Sequence, residues 1–174
     1  MTSVTVTIGG CPAPERNETN QKCIEPINLY AGVMDVTYFF DPACPFTWRT
    51  SRWLTAVAPE RQLTLHWRAF SLLILNGDDE SSPYRPMMLA SSRALRLVEA
   101  LRADRREDAI AAFYTEFGNR THEAGTPPTD EIVLAAAEAA GIEDPKTVLD
   151  DESWDSSVRE SHEAGLALAG PGIG

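Results

Sequence analysis

The chain has 174 residues, 43% of them hydrophobic, enough for one compact domain with a real core. Fifteen Lys and Arg against 26 Asp and Glu give a formal net charge of -11, which argues against nucleic acid or an anionic membrane as a partner, since both would repel such a surface. No stretch approaches the roughly 18 to 20 continuous apolar residues of a membrane span, and Met1-Thr2-Ser3-Val4-Thr5-Val6 has neither a charged n-region nor an apolar h-region, so the cytoplasm is the expected compartment.

Residues 1–33 read as a poorly patterned N-terminal extension, rich in Pro, Asn, Glu and Thr. They carry Cys11 and Cys23, which together with Cys44 cannot make a fully paired disulfide framework. Cys11 and Cys23 are expected to be inert, the other readings being a bridge between them or a resolving thiol for Cys44. The folded part is expected to begin at Met34, where Val36-Thr37-Tyr38-Phe39-Phe40 reads as a strand. Asp41-Pro42-Ala43 then makes a short turn to Cys44, and Pro45 suits a first helical position because its missing N–H would be unpaired there anyway. Cys44 therefore sits at or next to a helix cap, where free N–H groups and the positive end of the helix dipole favour thiolate, the attacking species.

Phe46, Trp48, Leu54, Val57 and Ala58 suit a helix from Pro45 to about Ala58, and 63–70 alternates like a strand with one polar face, which gives a β-α-β unit over 34–76. Trp48 and Trp53 follow Cys44 on the helix; packing against the sheet accounts for at least one, and Trp48 is a candidate to flank a flat substrate. From about residue 84 to 169 the pattern is helical, with one stripe of Met87, Ala94, Val98 and Leu101 and another of Ile110, Phe113, Tyr114 and Phe117. Thr129 starts a helix that stops at Gly141, Asp144-Pro145 reads as a cap and first-position proline, and the last helix is expected from about Ser153 to Ala169. Eleven acidic residues over 130–163 face only Lys146 and Arg159, a net of -9, which reads as a solvated face available to pair with the arginines of 85–106. His162 falls on an inward stripe with Trp154 and Val158 and reads as a core histidine. No metal site is expected, since His66, His122 and His162 lack the tight spacing of zinc ligands.

The segment Phe39-Phe40-Asp41-Pro42-Ala43-Cys44-Pro45-Phe46-Thr47-Trp48, continued by Thr50-Ser51-Arg52-Trp53, resembles the active-site segment of DsbA-like thioredoxin-fold oxidoreductases, and most of all their actinobacterial mycothiol-dependent nitroreductase branch. Further resemblance lies in 70–76, in Gly118-Asn119-Arg120-Thr121-His122 and in Ser161-His162-Glu163-Ala164-Gly165, in the family's order. It implies an α/β, thioredoxin-like fold whose helical part, 84–169, is an inserted subdomain capping the cysteine edge of the sheet. It also implies a domain over 34–174 that is C-terminally incomplete, ending where the family begins its cis-proline loop and last strands; an unpaired sheet edge of that kind invites a homodimer. Where the family has a second cysteine, this chain has Thr47, whose hydroxyl is expected to bond the sulfur.

The resemblance implies Cys44 and Thr47 as the catalytic pair, with Pro45, Phe46, Trp48, Asn119, Arg120 and His122 around the substrate and its thiol. The expected function is that of a thiol-disulfide oxidoreductase with no bound cofactor, working by a monothiol route: a low-molecular-weight thiol such as mycothiol resolves Cys44, and a small electron-poor substrate or a protein disulfide is the other partner. The alternatives are a transferase or isomerase that activates a cofactor thiol without a redox cycle, and a non-catalytic binding module or fragment.

Overall fold

The computed structural model describes residues 4–7, 34–77 and 79–169. Cys11 and Cys23, and the end of the chain on which incompleteness was expected, lie outside the described residues. The elements in order are β1 (Val4–Thr7), β2 (Met34–Phe40), α1 (Pro45–Arg61), β3 (Leu63–Ala69), α2 (Leu72–Asn76), α3 (Arg85–Ala103), α4 (Glu107–Gly118), a π-helical turn (Asn119–Glu123), α5 (Asp130–Ala139), α6 (Pro145–Asp150), a 3-10 turn (Glu152–Trp154) and α7 (Asp155–Ala169). The chain is thus mixed α/β and mostly helical, consistent with a thioredoxin-like fold. Among the described residues no helix is long and apolar enough to cross a membrane.

β2 and β3 pair in parallel, Tyr38 opposite Trp67 and Phe40 opposite Ala69, with α1 as the crossover. Within residues 1–33 the described part is β1: Val4-Thr5-Val6-Thr7 is a β-branched run, suited to a strand, and it pairs antiparallel with the other edge of β2. α1 outruns its expected end at Ala58, passing through Pro59 to a left-handed Gln62 at φ 54°. The stripes of α3 and α4 are in place, with Ala94, Val98, Ile110, Phe113, Tyr114 and Phe117 all fully buried, except at the head of α3, where Met88 is buried in place of the expected Met87. Asp144 does precede α6, yet its side chain accepts the Thr147 hydroxyl at 2.7 Å and caps no backbone N–H.

The main core joins Val36, Tyr38 and Phe40 of β2 and Trp67 of β3 to α1, α3 and α4. Tyr114 is central to it, its ring 4.3 Å from Phe40 and edge-on to Trp67. On the opposite face α7 comes so close that a Cβ on Gly165 would meet Phe39 at 3.0 Å and Phe70 at 3.1 Å.

On the outer edge of β3, side chains take up the backbone groups of Trp67 and Ala69. The N–H of Trp67 donates to Glu107 Oε2 at 3.0 Å and that of Ala69 to Glu99 Oε1 at 3.1 Å, while Ser161 Oγ donates to the Ala69 carbonyl at 2.9 Å. Parallel pairing sends alternate amides away from β2, and each left unpaired in this packed setting would cost about 1–3 kcal/mol. Glu99 is fully buried and takes a further bond from Arg102 Nε at 2.6 Å.

Candidate active site

Cys44 occupies the N-cap of α1 with extended backbone (φ -80°, ψ 115°), and Pro45 follows at the first helical position. Its N–H donates to the Asp41 carbonyl at 3.0 Å, and its own carbonyl accepts the Trp48 N–H at 3.0 Å. The thiol is free and half-buried, and it makes no capping bond to the helix N–H groups, so the sulfur is left for external chemistry.

The turn beneath it is organised by Asp41, which the sequence reading passed over. Asp41 is 2% exposed, and its carboxylate accepts three hydrogen bonds: from Ala43 N–H (2.9 Å), from Leu72 N–H (2.7 Å) and from the Ser91 hydroxyl. Burial pushes the carboxyl pKa up, while the bonds from Ser91, Leu72 and Ala43 pull the other way. The bond to Ala43, two residues on, is an Asx-turn, and it is the one signal in the sequence that marks Asp41. Ser91, on α3, also accepts the Ala43 N–H at 3.2 Å.

Thr47 stands one turn below Cys44, and its hydroxyl points at the carbonyls of Cys44 (3.0 Å) and Asp41 (3.1 Å). The expectation that it bonds the sulfur is thereby corrected: one hydroxyl has one proton, and backbone carbonyls, stronger acceptors than sulfur, take it. Tyr114 donates to Thr47 Oγ1 at 3.2 Å and Tyr38 to the Thr47 carbonyl at 2.7 Å. Burial drives both phenol pKa values upward, so each tyrosine stays a proton donor wherever a thiol titrates.

Trp48 is 2% exposed and does not offer a face to a substrate. Its indole N–H donates to Glu123 Oε1 at 2.8 Å, the Arg52 guanidinium lies 4.1 Å from its ring centre, and His122 stacks at 5.7 Å. Gly118 makes room for it, since a Cβ there would lie 2.1 Å from the ring. The exposed aromatics of α1 are instead Phe46, at 73%, and Trp53, at 63%, so Phe46 is an open neighbour of Cys44 and not part of the buried stripe.

His122 reaches the cysteine turn from the π-helical segment, donating through Nε2 to the Pro42 carbonyl at 2.8 Å. Burial lowers its pKa below the ordinary 6.5, so it is neutral at pH 7. Arg120 is spent on Glu116, binding both its carboxylate and its carbonyl, and Asn119 is exposed at the end of α4. Of the three polar residues expected at the rim, His122 is hydrogen-bonded to the turn, while the described bonds of Arg120 go to Glu116. His162 is a satisfied core residue: 2% exposed, with Nδ1 accepting the Ser71 N–H at 3.2 Å.

A depression of about 650 Å³ lies away from the cysteine, where Arg93 and Arg96 of α3 meet Asp130, Asp150 and Glu152. A second, of about 370 Å³, is lined by α2 and α3 residues including Leu72, Tyr84, Met87 and Met88. Cys44 lines neither. Arg93 pairs with Asp130 and Asp150, and Arg96 holds Asp155 through both carboxylate oxygens (2.6 and 2.9 Å), so these arginines serve the acidic helices. Among the described residues no three His, Cys, Asp or Glu side chains are placed to hold a metal ion.

Comparison with known proteins agrees with this geometry. The uncharacterized protein Rv2286c of Mycobacterium tuberculosis (strain ATCC 25618 / H37Rv) is 28% identical over 145 residues, which cover 79% of this chain and 61% of that protein. The chain thus spans less than two thirds of that relative's length. The family described as Rv2466c-like, mycothiol-dependent nitroreductase Rv2466c, matches residues 43–174, from the residue before the cysteine onward. That is well over half of the sequence, and the chain belongs to the Rv2466c-like family of mycothiol-dependent nitroreductases.

Proposed function

We propose that this chain is a monothiol oxidoreductase of the cytoplasm in which Cys44 exchanges with a low-molecular-weight thiol. The observation that carries the reading is the contrast within one turn. Asp41, Thr47, Tyr114, Trp48 and His122 around Cys44 are all hydrogen-bonded, while its sulfur is free and half-exposed at the head of a 17-residue helix.

Cys44, as thiolate, attacks one sulfur of a disulfide; a new Cys44 S–S bond forms, the old one breaks, and the departing thiolate takes up a proton. A small thiolate then attacks the Cys44 sulfur, releasing the substrate's second thiol and leaving Cys44 in a mixed disulfide with the small thiol; a second small thiolate attacks the small thiol's sulfur, forming the small-thiol disulfide and releasing the Cys44 thiolate. Two small thiols are thereby oxidised to one disulfide, and their two electrons and two protons reduce a protein disulfide to two thiols, a small electron-poor substrate being the other candidate acceptor of that pair. The site suits a thiol co-substrate, with an accessible sulfur and no described cysteine to compete for it; mycothiol, named by the family, would supply the second sulfur. Pro45 and the exposed Phe46 border the sulfur, Thr47 pins the first helical turn, and neutral His122 braces Pro42. Trp48 supports the turn from behind, and Asn119 and Arg120 flank His122 on the π-helical side.

Thr47 favours a second reading, a transferase or isomerase that activates a cofactor thiol without net redox change. Intact-protein mass spectrometry with mycothiol disulfide decides between them, using the chain with Cys11→Ser and Cys23→Ser. One adduct on Cys44, discharged by free thiol, is expected, with loss of exchange in Cys44→Ser. Turnover that survives Cys44→Ser would overturn the monothiol route.

A further inference from the structure

We propose that Asp41 is the positioning residue for Cys44: its buried carboxylate, accepting from Ala43, Ser91 and Leu72 together, fixes the turn that holds the sulfur at the head of α1. The proposal rests on the thiol-exchange reading and adds to it a second residue without which the cysteine is poorly placed.

Three elements converge on this one side chain. Ala43 belongs to the turn, Leu72 opens α2, and Ser91 lies within α3. The main chain of Asp41 then grips the reactive segment directly, its carbonyl accepting both the Cys44 N–H and the Thr47 hydroxyl. Moving the side chain therefore moves the peptide units on either side of Ala43, and the sulfur is one residue further on.

The three donors are neutral and share two oxygens, a demand that only a carboxylate meets in full. A carboxamide of the same shape has one oxygen and an NH2 group, so in either orientation a donor faces a donor, at Leu72 or at the Ala43–Ser91 side. Asp41→Asn is thus nearly isosteric yet leaves the turn with an opposed N–H pair in a site 2% exposed. Glu99 provides the comparison, an equally buried carboxylate that also accepts a backbone N–H, but at Ala69, away from the cysteine turn.

The test is the second-order rate of Cys44 with 4,4′-dithiodipyridine at pH 7, in the full chain carrying Cys11→Ser and Cys23→Ser. Asp41→Asn is expected to slow the reaction about tenfold or more, whereas Glu99→Gln stays within about twofold of the parent, at temperatures set equally far below each variant's unfolding midpoint. A merely structural role would slow both alike. An Asp41→Asn rate equal to or faster than the parent's, or no slower than that of Glu99→Gln, overturns the proposal. Should Asp41→Asn not fold, Ser91→Ala decides instead: about threefold slower is expected, and an unchanged rate overturns it. A parent whose Cys44 does not react overturns the thiol-exchange reading and this proposal with it; a reactive parent matched by Asp41→Asn overturns the positioning role alone.

Discussion

The cysteine turn and the α3–α5–α6 junction are opposite solutions to placing charge in one molecule. At the junction Arg93 and Arg96 meet Asp130, Asp150, Glu152 and Asp155 around the larger depression, in ion pairs whose carboxylates are all at least 44% exposed. At the turn a single carboxylate is buried and held by neutral donors. The exposed ion pairs thus line the 650 Å³ depression, and Cys44 lies outside it. Buried polar contacts are costly to break because no water replaces the lost partner, whereas exposed ion pairs exchange one solvated state for another.

The sharpest way to break the comparison is Gly118→Ala. The new methyl would fall inside the Trp48 ring, which Arg52, His122 and Glu123 hold in place, so overpacking is expected to cost about 3 kcal/mol in urea unfolding. A change below about 1 kcal/mol would show that the backing of the turn yields, and that its rigidity is overstated.

A smaller effect separates the regions by pH. His162 is held neutral, its Nδ1 accepting the Ser71 N–H, and burial lowers its pKa below the ordinary 6.5. Below 6.5 the unfolded chain therefore binds the proton that the folded one resists, so this contribution is intact above 6.5 and declines as pH falls. His122 acts in the same sense, whereas Asp41, with its raised pKa, opposes them from its ordinary 3.8 upward. Subtracting the stability profile of His162→Gln from that of the parent cancels Asp41 and His122, and the difference is expected to shrink on going from pH 7 to pH 5. A flat difference would mean that Ser71 is not held by a neutral imidazole.

The smallest effect belongs to the junction. Arg93→Ala removes pairs to Asp130 and Asp150, yet a loss of no more than about 1 kcal/mol is expected, fading in high salt. A salt-insensitive loss of several kcal/mol would place the junction in the same class as the turn.

These differences also explain what the sequence made visible. Cys44 at a strand end before Pro45, and the apolar stripes of α3 and α4, are local patterns whose periodicity is set by burial, and they were readable as such. Asp41, Glu99 and Glu107 were not, because a carboxylate turned inward is spelled like a surface one and the partners that reveal it lie 30 to 50 positions away. The exchange of roles between Trp48 and Phe46 had the same cause. Both fit a helix beside a cysteine, and only Gly118, 70 residues later, decides which ring turns inward.

The outer edge of β3 bears on how this protein meets copies of itself. A strand from a second molecule seeking to extend the sheet there would have to displace the Glu107 carboxylate from Trp67 and the buried Glu99 carboxylate from Ala69, leaving Glu99 with Arg102 as its remaining partner. At Trp67 and Ala69, templated growth of the sheet is thereby opposed by side chains of the same molecule.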